Sequence, residues 1–522
     1  MTQHLWSRLD TALAQQTTKP AWICRQKNGQ FILSYQDLRA AAISTAAALR
    51  SQGIKAGDTV GITAPNGPHW SVAALASWRI GACIAPIHIN NSDHEIEQQI
   101  AAIQPDIMLV HESKIDYPKM LHISLDSDPD VNQQELSIPS EVDPDTTAAR
   151  IYTSGSTGTP KVVRLSHSNF MSNIRAAKKI GNFTSEDRFL ALLPLSHEMG
   201  MLANIFVPLD NGATIVTPKV LAANEILEAL EQEGITVLIA VPRLFRNVMN
   251  GLEKKFASAS GALKAYIGLI RRSPLPLKKI LNAPIRKKLG GNITVWVSGG
   301  SHLDGTITKY YHQLGIPLRQ GYGLTETSPL SSVQAEFDPA PDSVGRPIDD
   351  VEFHIHEPDE SGAGEVWIKG PNVMLGYEDS NQNSDAMEGE WFKTGDIGKL
   401  DEIGNLTLTG RSKRLIVTDA GKNVYPEELE TLLERDPIVK EAGVLEKNMK
   451  PVCIFAIDSD TPIAEARRVL KAFNKLVSSH NQITRFALTD EIPRTPLGKM
   501  ALQALPDLFD RNEIPAGKTD QV

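Results

Sequence analysis

Residues 151–167 read Ile-Tyr-Thr-Ser-Gly-Ser-Thr-Gly-Thr-Pro-Lys-Val-Val-Arg-Leu-Ser-His. The apolar run from Ala148 to Tyr152 predicts a strand, and small or hydroxylated residues follow from Thr153 to Pro160. Small residues let the backbone turn tightly around an anion, while N–H groups, hydroxyls and the Lys161 ammonium supply donors for phosphate oxygens. The stretch therefore predicts a phosphate-binding loop. On these residues alone, an ordinary Ser/Gly/Thr loop is the alternative.

The spacing of this loop separates it from the common nucleoside-triphosphatase loop, which needs glycine where this chain has Pro160. It closely resembles the signature loop of the adenylate-forming superfamily, which includes acyl-CoA synthetases, peptide-synthetase adenylation domains and beetle luciferases. One departure is Val162, where many members have glycine. The resemblance assigns these residues to the nucleotide: Thr153, Ser154, Gly155, Ser156, Thr157, Gly158 and Lys161.

Composition limits the class of protein. A chain of 522 residues is too long for one core and predicts at least two domains. A net charge of −9 argues against a nucleic-acid-binding surface overall. Cys24, Cys83 and Cys453 lack metal-like spacing, which predicts a reducing, cytoplasmic location. The start has no signal-peptide pattern, and the longest apolar region, 70–87, is interrupted by Arg79, so no membrane span is expected.

The first 145 residues show alternating helix and strand patterns. Helical spacing over 35–52 ends before Gly53, a strand is expected over 57–63, a helix over 69–81 and a strand over 82–87. Such alternation predicts parallel strands joined by crossover helices.

A second signature, Gly-Tyr-Gly-Leu-Thr-Glu-Thr at 321–327, matches the superfamily without change. Tyr322 can stack on a base, Thr325 can donate to a phosphate, and Glu326 can hold Mg²⁺, joined by Thr153. Without the resemblance, Glu326 would be interpreted as a surface carboxylate. The resemblance places adenine between a glycine-rich loop and the tyrosine, and assigns these residues to the nucleotide: Gly299, Gly300, Gly321, Tyr322, Gly323 and Thr325.

His197 follows a strand that ends at Pro194 and stands where a helix is expected to begin. A lone histidine is more often packed or solvated than catalytic. In the superfamily, however, this position faces the carboxylate of the acid substrate, where an imidazole could orient that carboxylate or gate an acyl tunnel.

Later residues complete the resemblance. It implies that Asp396 accepts the ribose hydroxyls, that Arg411 binds the ribose and α-phosphate, and that Lys413 is a hinge. It also implies that Lys499 is a catalytic lysine. The loop containing Gly421 and Lys422 is expected on the CoA side.

The expected fold is α/β. It comprises a large N-terminal domain, 1–410, of mixed α/β subdomains plus a β-rich subdomain, and a small mobile α+β C-terminal domain, 411–522. The resemblance implies that this small domain rotates between two half-reactions.

The segment 243–288 carries twelve Lys or Arg residues against one acid, Glu253, with apolar residues between them. Such a segment can rest on an anionic membrane surface or guide an anionic substrate. A solvated helical face is the alternative. The basic stretch resembles the long-chain fatty acyl branch of the superfamily.

These observations predict an enzyme that uses ATP and Mg²⁺ to convert a carboxylic acid, of medium or long chain, to acyl-AMP and then to acyl-CoA. Lys499, Thr325, Glu326 and His197 are the candidate catalytic residues. Alternatives are transfer to the phosphopantetheine of an acyl carrier protein, an aryl or other acid substrate, and a non-catalytic lipid or nucleotide sensor. A luciferase-type oxidation has no specific support.

Overall fold

The computed structural model describes residues 4–126, 142–153, 161–418, 422–494 and 500–514. Within these ranges the α-helices are α1 Leu5–Gln15, α2 Tyr35–Ser51, α3 Pro68–Arg79, α4 Asp93–Ile103, α5 His167–Gly181, α6 Glu198–Met201, α7 Val207–Asp210, α8 Ala223–Gln232, α9 Pro242–Ala257, α10 Gly261–Arg272, α11 Leu275–Leu281, α12 Ala283–Lys288, α13 Gly305–Gln313, α14 Asn381–Ala386, α15 Pro426–Leu433, α16 Ile463–Asn474 and α17 Leu505–Asn512.

The β-strands are β1 Pro20–Gln26, β2 Gly29–Ser34, β3 Thr59–Thr63, β4 Cys83–Pro86, β5 Ile107–Val110, β6 Met120–His122, β7 Thr147–Thr153, β8 Lys161–Ser166, β9 Arg188–Leu190, β10 Thr214–Thr217, β11 Val237–Ala240, β12 Val295–Ser298, β13 Leu318–Tyr322, β14 Ser332–Val333, β15 Arg346–Pro347, β16 Glu352–His356, β17 Gly364–Lys369, β18 Gly376–Tyr377, β19 Met387–Glu388, β20 Trp391–Leu400, β21 Leu406–Arg411, β22 Ile416–Val417, β23 Asn423–Val424, β24 Glu441–Glu446, β25 Pro451–Ala456 and β26 Phe486–Thr489.

Two large sheets carry the first part of the chain. One has the order β15-β14-β13-β12-β11-β9-β10-β1-β2, and the other has the order β18-β8-β7-β4-β3-β5-β6. Strands β3, β4 and β5 pair in parallel, and helix α3 connects β3 to β4. The predicted parallel strands with crossover helices are therefore confirmed. The predicted helices and strands between 35 and 87 match α2, β3, α3 and β4 to within two residues.

Helix α3 shows how the apolar sequence becomes the core beside β7. Trp70 and Trp78 are both buried, as are the small residues between them. The indole Nε1 of Trp78 donates to the carbonyl oxygen of Ala148 at 3.0 Å. Because Ala148 lies in β7, this bond fixes the helix to the strand that enters the loop.

The described chain divides into two compact units. The large unit contains the described residues up to 353 together with Ile368–Phe392, and the small unit contains His354–Trp367 and the described residues from 393 onward. Strands β24, β25 and β26 form a three-stranded sheet within the small unit. The boundary at 410/411 and the mobility of the C-terminal domain remain predictions. Across the described ranges, we find no helix with the length and apolar character of a membrane span.

Two buried asparagines hold the segment that follows β13. Asn173, on α5, accepts a hydrogen bond from the Leu330 N–H at 2.7 Å and donates to the Leu330 carbonyl oxygen at 3.1 Å. Asn372 donates to the carbonyl oxygens of Thr327 and Leu330 at 3.2 and 2.9 Å. These side chains replace the backbone partners that an irregular segment lacks, so the 3₁₀ turn Thr325–Thr327 has fixed supports.

We expect Asn173→Ala to lower the free energy of unfolding by about 1–3 kcal/mol, because the Leu330 N–H would lose its buried acceptor. The control is Asn381→Ala, an exposed asparagine, for which a change within about 0.5 kcal/mol is expected. Urea unfolding followed by tryptophan fluorescence measures both values. Equal losses in the two variants would contradict the supporting role of Asn173.

Candidate functional site

The two ends of the predicted phosphate loop lie side by side. Thr153 and Lys161 are directly opposite each other in the antiparallel pair β7–β8. The Thr153 hydroxyl donates to the Lys161 carbonyl oxygen at 3.5 Å, a long hydrogen bond. The residues between them lie outside the described residues, so their nucleotide-binding role remains a prediction: Ser154, Gly155, Ser156, Thr157 and Gly158.

Lys161 and Glu326 are brought together by Tyr377, a residue that the sequence analysis did not identify. The Tyr377 hydroxyl donates to Oε1 of Glu326 at 2.8 Å. The ammonium of Lys161 lies 4.1 Å from the centroid of the same tyrosine ring. Burial, followed by the charge and hydrogen bond of Glu326, raises the pKa of Tyr377, so its hydroxyl keeps its proton at neutral pH. The Tyr377 side chain therefore contacts both Lys161, which is predicted to bind phosphate, and Glu326, which is predicted to bind the metal ion.

Thr325 and His197 meet at a second residue that was not predicted, Glu198. The Thr325 hydroxyl donates to Oε1 of Glu198 at 3.0 Å. Oε2 of this buried carboxylate lies 3.8 Å from Nδ1 of His197, the residue that precedes α6 as expected. The His197 ring lies 6.5 Å from the ring of His88, whose pKa is lowered by burial and then by the neighbouring imidazole.

Nε2 of His197 is buried, and no described residue forms a hydrogen bond to it. A buried nitrogen without a partner is costly unless a ligand or water satisfies it. This atom fits the predicted contact between His197 and a substrate carboxylate.

The predicted glycines lie at strand ends. Gly299 and Gly300 follow β12, and the side chain of Met199 covers both. Tyr322 ends β13, is buried and contacts Phe353 edge to face, with 6.4 Å between ring centroids. Gly321 precedes Tyr322 in the same strand, while an added Cβ at Gly323 would overlap the backbone of Pro329. Base stacking on Tyr322 remains a prediction.

The donor set at Glu326 fits Mg²⁺. The ion binds oxygen ligands and usually takes one or two carboxylates, with the remaining positions filled by substrate phosphates and water. Among the described residues, no group of three or more His, Cys, Asp or Glu side chains could hold a metal alone. A single carboxylate at Glu326 suits an ion that arrives with a nucleotide. The role of the Thr153 hydroxyl as a further metal ligand remains a prediction.

The remaining predicted residues belong to the small unit, which is described by itself. Asp396, in β20, is opposite Arg411, in β21, and Arg411 Nε lies 2.9 Å from Asp396 Oδ1. The predicted ribose ligands are therefore neighbours. Lys413, in a 3₁₀ turn, and Lys422 are exposed, which leaves the hinge and CoA-side roles as predictions.

Two further candidates of the small unit, Gly421 and Lys499, lie outside the described residues. The CoA-side role of Gly421 and the catalytic role of Lys499 therefore remain predictions.

Comparison with known proteins identifies a family and several relatives. The model of a family described as AMP-binding enzyme matches residues 9–378. A long-chain-fatty-acid–CoA ligase of Mycobacterium bovis is 29% identical over 452 residues, which are 78% of this chain and 73% of that protein. An indoleacetate–CoA ligase of Aromatoleum aromaticum is 26% identical over 498 residues, which are 90% of this chain and 91% of that protein.

A solved structure has a similar fold. It is the o-succinylbenzoate coenzyme A synthetase of Bacillus subtilis, in complex with ATP and magnesium ion. Its TM-score to this chain is 0.77 at 23% identity. The match covers 97% of this chain and 100% of that chain. This similarity confirms the predicted α/β fold, with a large N-terminal and a small C-terminal domain.

Two glycine substitutions test how tightly the site backbone is packed. In Gly323→Ala the new methyl group meets the backbone carbonyl of Pro329, so we expect a loss of about 1–3 kcal/mol in stability. In Gly299→Ala the nearest atom is Cε of Met199, 2.6 Å away at the end of a flexible side chain, so a smaller loss is expected. Thermal unfolding midpoints measure both. A larger loss for Gly299→Ala would contradict the packing described.

Proposed function

Because the chain belongs to the AMP-binding enzyme family and is an AMP-forming acid–CoA ligase, we propose that its substrate is a medium- or long-chain fatty acid. ATP activates the acid as acyl-AMP with release of pyrophosphate, and CoA then accepts the acyl group. The sequence motifs indicated a member of the adenylate-forming superfamily, and the family match confirms that interpretation.

The reaction needs no covalent enzyme intermediate. A carboxylate is a poor acyl donor, since its leaving group would be oxide. A carboxylate oxygen attacks the α-phosphorus of ATP, the bond from that phosphorus to the bridging oxygen breaks, and pyrophosphate leaves. The CoA thiolate then attacks the acyl carbon and AMP leaves. The enzyme must hold several anions together, so positioning and charge stabilisation are its main tasks.

The cluster of Lys161, Tyr377 and Glu326 is the observation that supports the adenylation step of this proposal. Lys161 supplies a cation for phosphate oxygens, and the hydroxyl of Thr325 supplies a neighbouring donor. Glu326 would hold Mg²⁺ with Thr153, and the ion would neutralise phosphate charge when bound. His197 Nε2 is suited to the acid carboxylate because it has no hydrogen-bond partner among the described residues.

Residues of the small unit complete the proposal. Asp396 and Arg411 bind the ribose and α-phosphate, and Lys499 stabilises the charge that forms during adenylation. Rotation about Lys413 then withdraws Lys499 and brings the loop with Gly421 and Lys422 to the CoA side. The ion pair of Asp396 with Arg411 supports the first of these assignments.

The fatty acid is favoured by the M. bovis relative, a long-chain-fatty-acid–CoA ligase, and by the basic segment 243–288. The A. aromaticum relative acts on indoleacetate, so an aryl acid is the second candidate. Transfer to a carrier-protein phosphopantetheine is a further alternative for the second half-reaction.

Acid-dependent ATP–pyrophosphate exchange, measured over a series of fatty, aryl and amino acids, tests the substrate. We expect the highest kcat/KM with acids of medium or long chain, and faster thioester formation with CoA than with a carrier protein. Lys499→Ala should cripple exchange but affect thioester formation from supplied acyl-AMP much less. Preference for aryl acids would contradict the fatty-acid assignment, and absence of exchange with every acid would favour a sensor.

The basic segment also supports peripheral association with an anionic membrane. Helices α10 and α11 expose apolar side chains to solvent, with Leu269 54% and Ile280 70% exposed. Exposed cations flank them: Lys254, Lys255, Lys264, Arg272, Lys279, Lys287 and Lys288. Apolar residues that can enter the headgroup region, surrounded by cations, match an anionic bilayer in both polarity and charge.

Sedimentation with lipid vesicles tests this association. We expect binding to phosphatidylglycerol vesicles at low salt, little binding to phosphatidylcholine vesicles, and release by high salt. The double variant Leu269→Ser/Ile280→Ser should bind several-fold more weakly. Leu476→Ser, which changes a 78% exposed leucine elsewhere, is the matched control. If anionic vesicles fail to retain the enzyme at low salt, the membrane proposal is wrong.

A further inference from the structure

Tyr377 contacts both Lys161 and Glu326, although neither signature contains it. We propose that Tyr377 is a positioning residue, which holds the Glu326 carboxylate for Mg²⁺ and the Lys161 ammonium for phosphate. This inference rests on the proposed function, because it assumes that the cluster binds a metal–nucleotide complex.

The backbone that carries Tyr377 is fixed on both sides. In the antiparallel pair β18–β8, Tyr377 lies opposite Val163, two residues after Lys161. The Tyr377 N–H donates to Oδ1 of Asn383 at 2.7 Å. The Met374 N–H donates to the carbonyl oxygen of Glu326 at 2.8 Å. One short segment thus contacts both the backbone and the side chain of Glu326.

The hydroxyl and the ring of Tyr377 contact side chains of opposite charge. A hydroxyl that donates to a carboxylate forms a strong, charge-assisted hydrogen bond. The bond uses one oxygen of Glu326, and a carboxylate has a second oxygen with which to bind a metal. The electron-rich face of the ring attracts the Lys161 ammonium at 4.1 Å. Tyr377 itself is only 3% exposed, so water competes weakly for these contacts.

Substitution of Tyr377 by phenylalanine distinguishes a positioning role from a simple packing role. Tyr377→Phe keeps the ring beneath Lys161 and fills almost the same volume, but it removes the donor to Glu326. Tyr377→Leu removes both contacts. Tyr311→Phe is the matched control, because Tyr311 is also buried and its hydroxyl donates to the Phe245 carbonyl oxygen at 3.0 Å, within another part of the large unit.

The experiment measures binding of Mn²⁺, as a spectroscopic substitute for Mg²⁺, to the full chain with α,β-methylene-ATP. We expect Tyr377→Phe to weaken Mn²⁺ binding about tenfold or more, the loss associated with a hydrogen bond to a charged group. Its affinity for the metal-free analogue should stay close to that of the wild type. In Tyr377→Leu, binding of the metal-free analogue should fall by a further two- to fivefold, because the ring–ammonium contact is lost.

The control separates failure of this inference from failure of the proposed function. Tyr311→Phe should lower the unfolding midpoint without changing Mn²⁺ binding. If Tyr377→Phe behaves in the same way while the wild type binds the Mn²⁺–analogue complex, the positioning role is overturned and the proposed function stands. If the wild type binds no such complex, the proposed function itself is overturned.

Discussion

The hydrogen bond from Tyr377 to Glu326 joins two sheets at the candidate site. Tyr377 belongs to β18, which pairs with β8 in the seven-stranded sheet, whereas Glu326 follows β13 of the nine-stranded sheet. Groups that act on one phosphate chain must keep their spacing to within about 0.5 Å, and loops on separate sheets do not guarantee such spacing. A short hydrogen bond between β18 and the turn that carries Glu326 restricts this freedom. The roles proposed for Lys161 and Thr325 depend on it.

The balance of charges explains why nucleotide binding at this site would need cations in addition to Lys161. Two carboxylates belong to the surroundings of Thr325, since Glu326 follows it in the chain and Glu198 accepts a hydrogen bond from its hydroxyl. Their negative charge opposes the approach of a nucleotide unless cations accompany it. A bound divalent ion is the largest local charge in such a site and reverses this balance.

Much of the fold and part of the site follow from local sequence. The helix and strand boundaries between residues 35 and 87 were predicted from apolar spacing and from Gly53, which has the left-handed φ of +81° expected after a helix. His197 stands before α6 as expected. Asp396 and Arg411, which the resemblance assigned to the nucleotide, are opposite each other in β20 and β21, two strands that follow one another along the chain. In each case the interacting residues are close in sequence.

Glu198 and Tyr377 could not be found in this way, because their partners are distant in sequence. Tyr377 reaches Glu326 only in one register of β18 against β8, and a shift of one residue would turn its side chain to the opposite face of the sheet. That register depends on the Asn383 side chain, which holds the Tyr377 N–H, and on pairing with residues near Val163. Neither contact has a periodic signal in the chain. The predicted ligand-binding residues are grouped in motifs, whereas the residues that contact them from elsewhere in the chain are defined only by the packing of one sheet beside another.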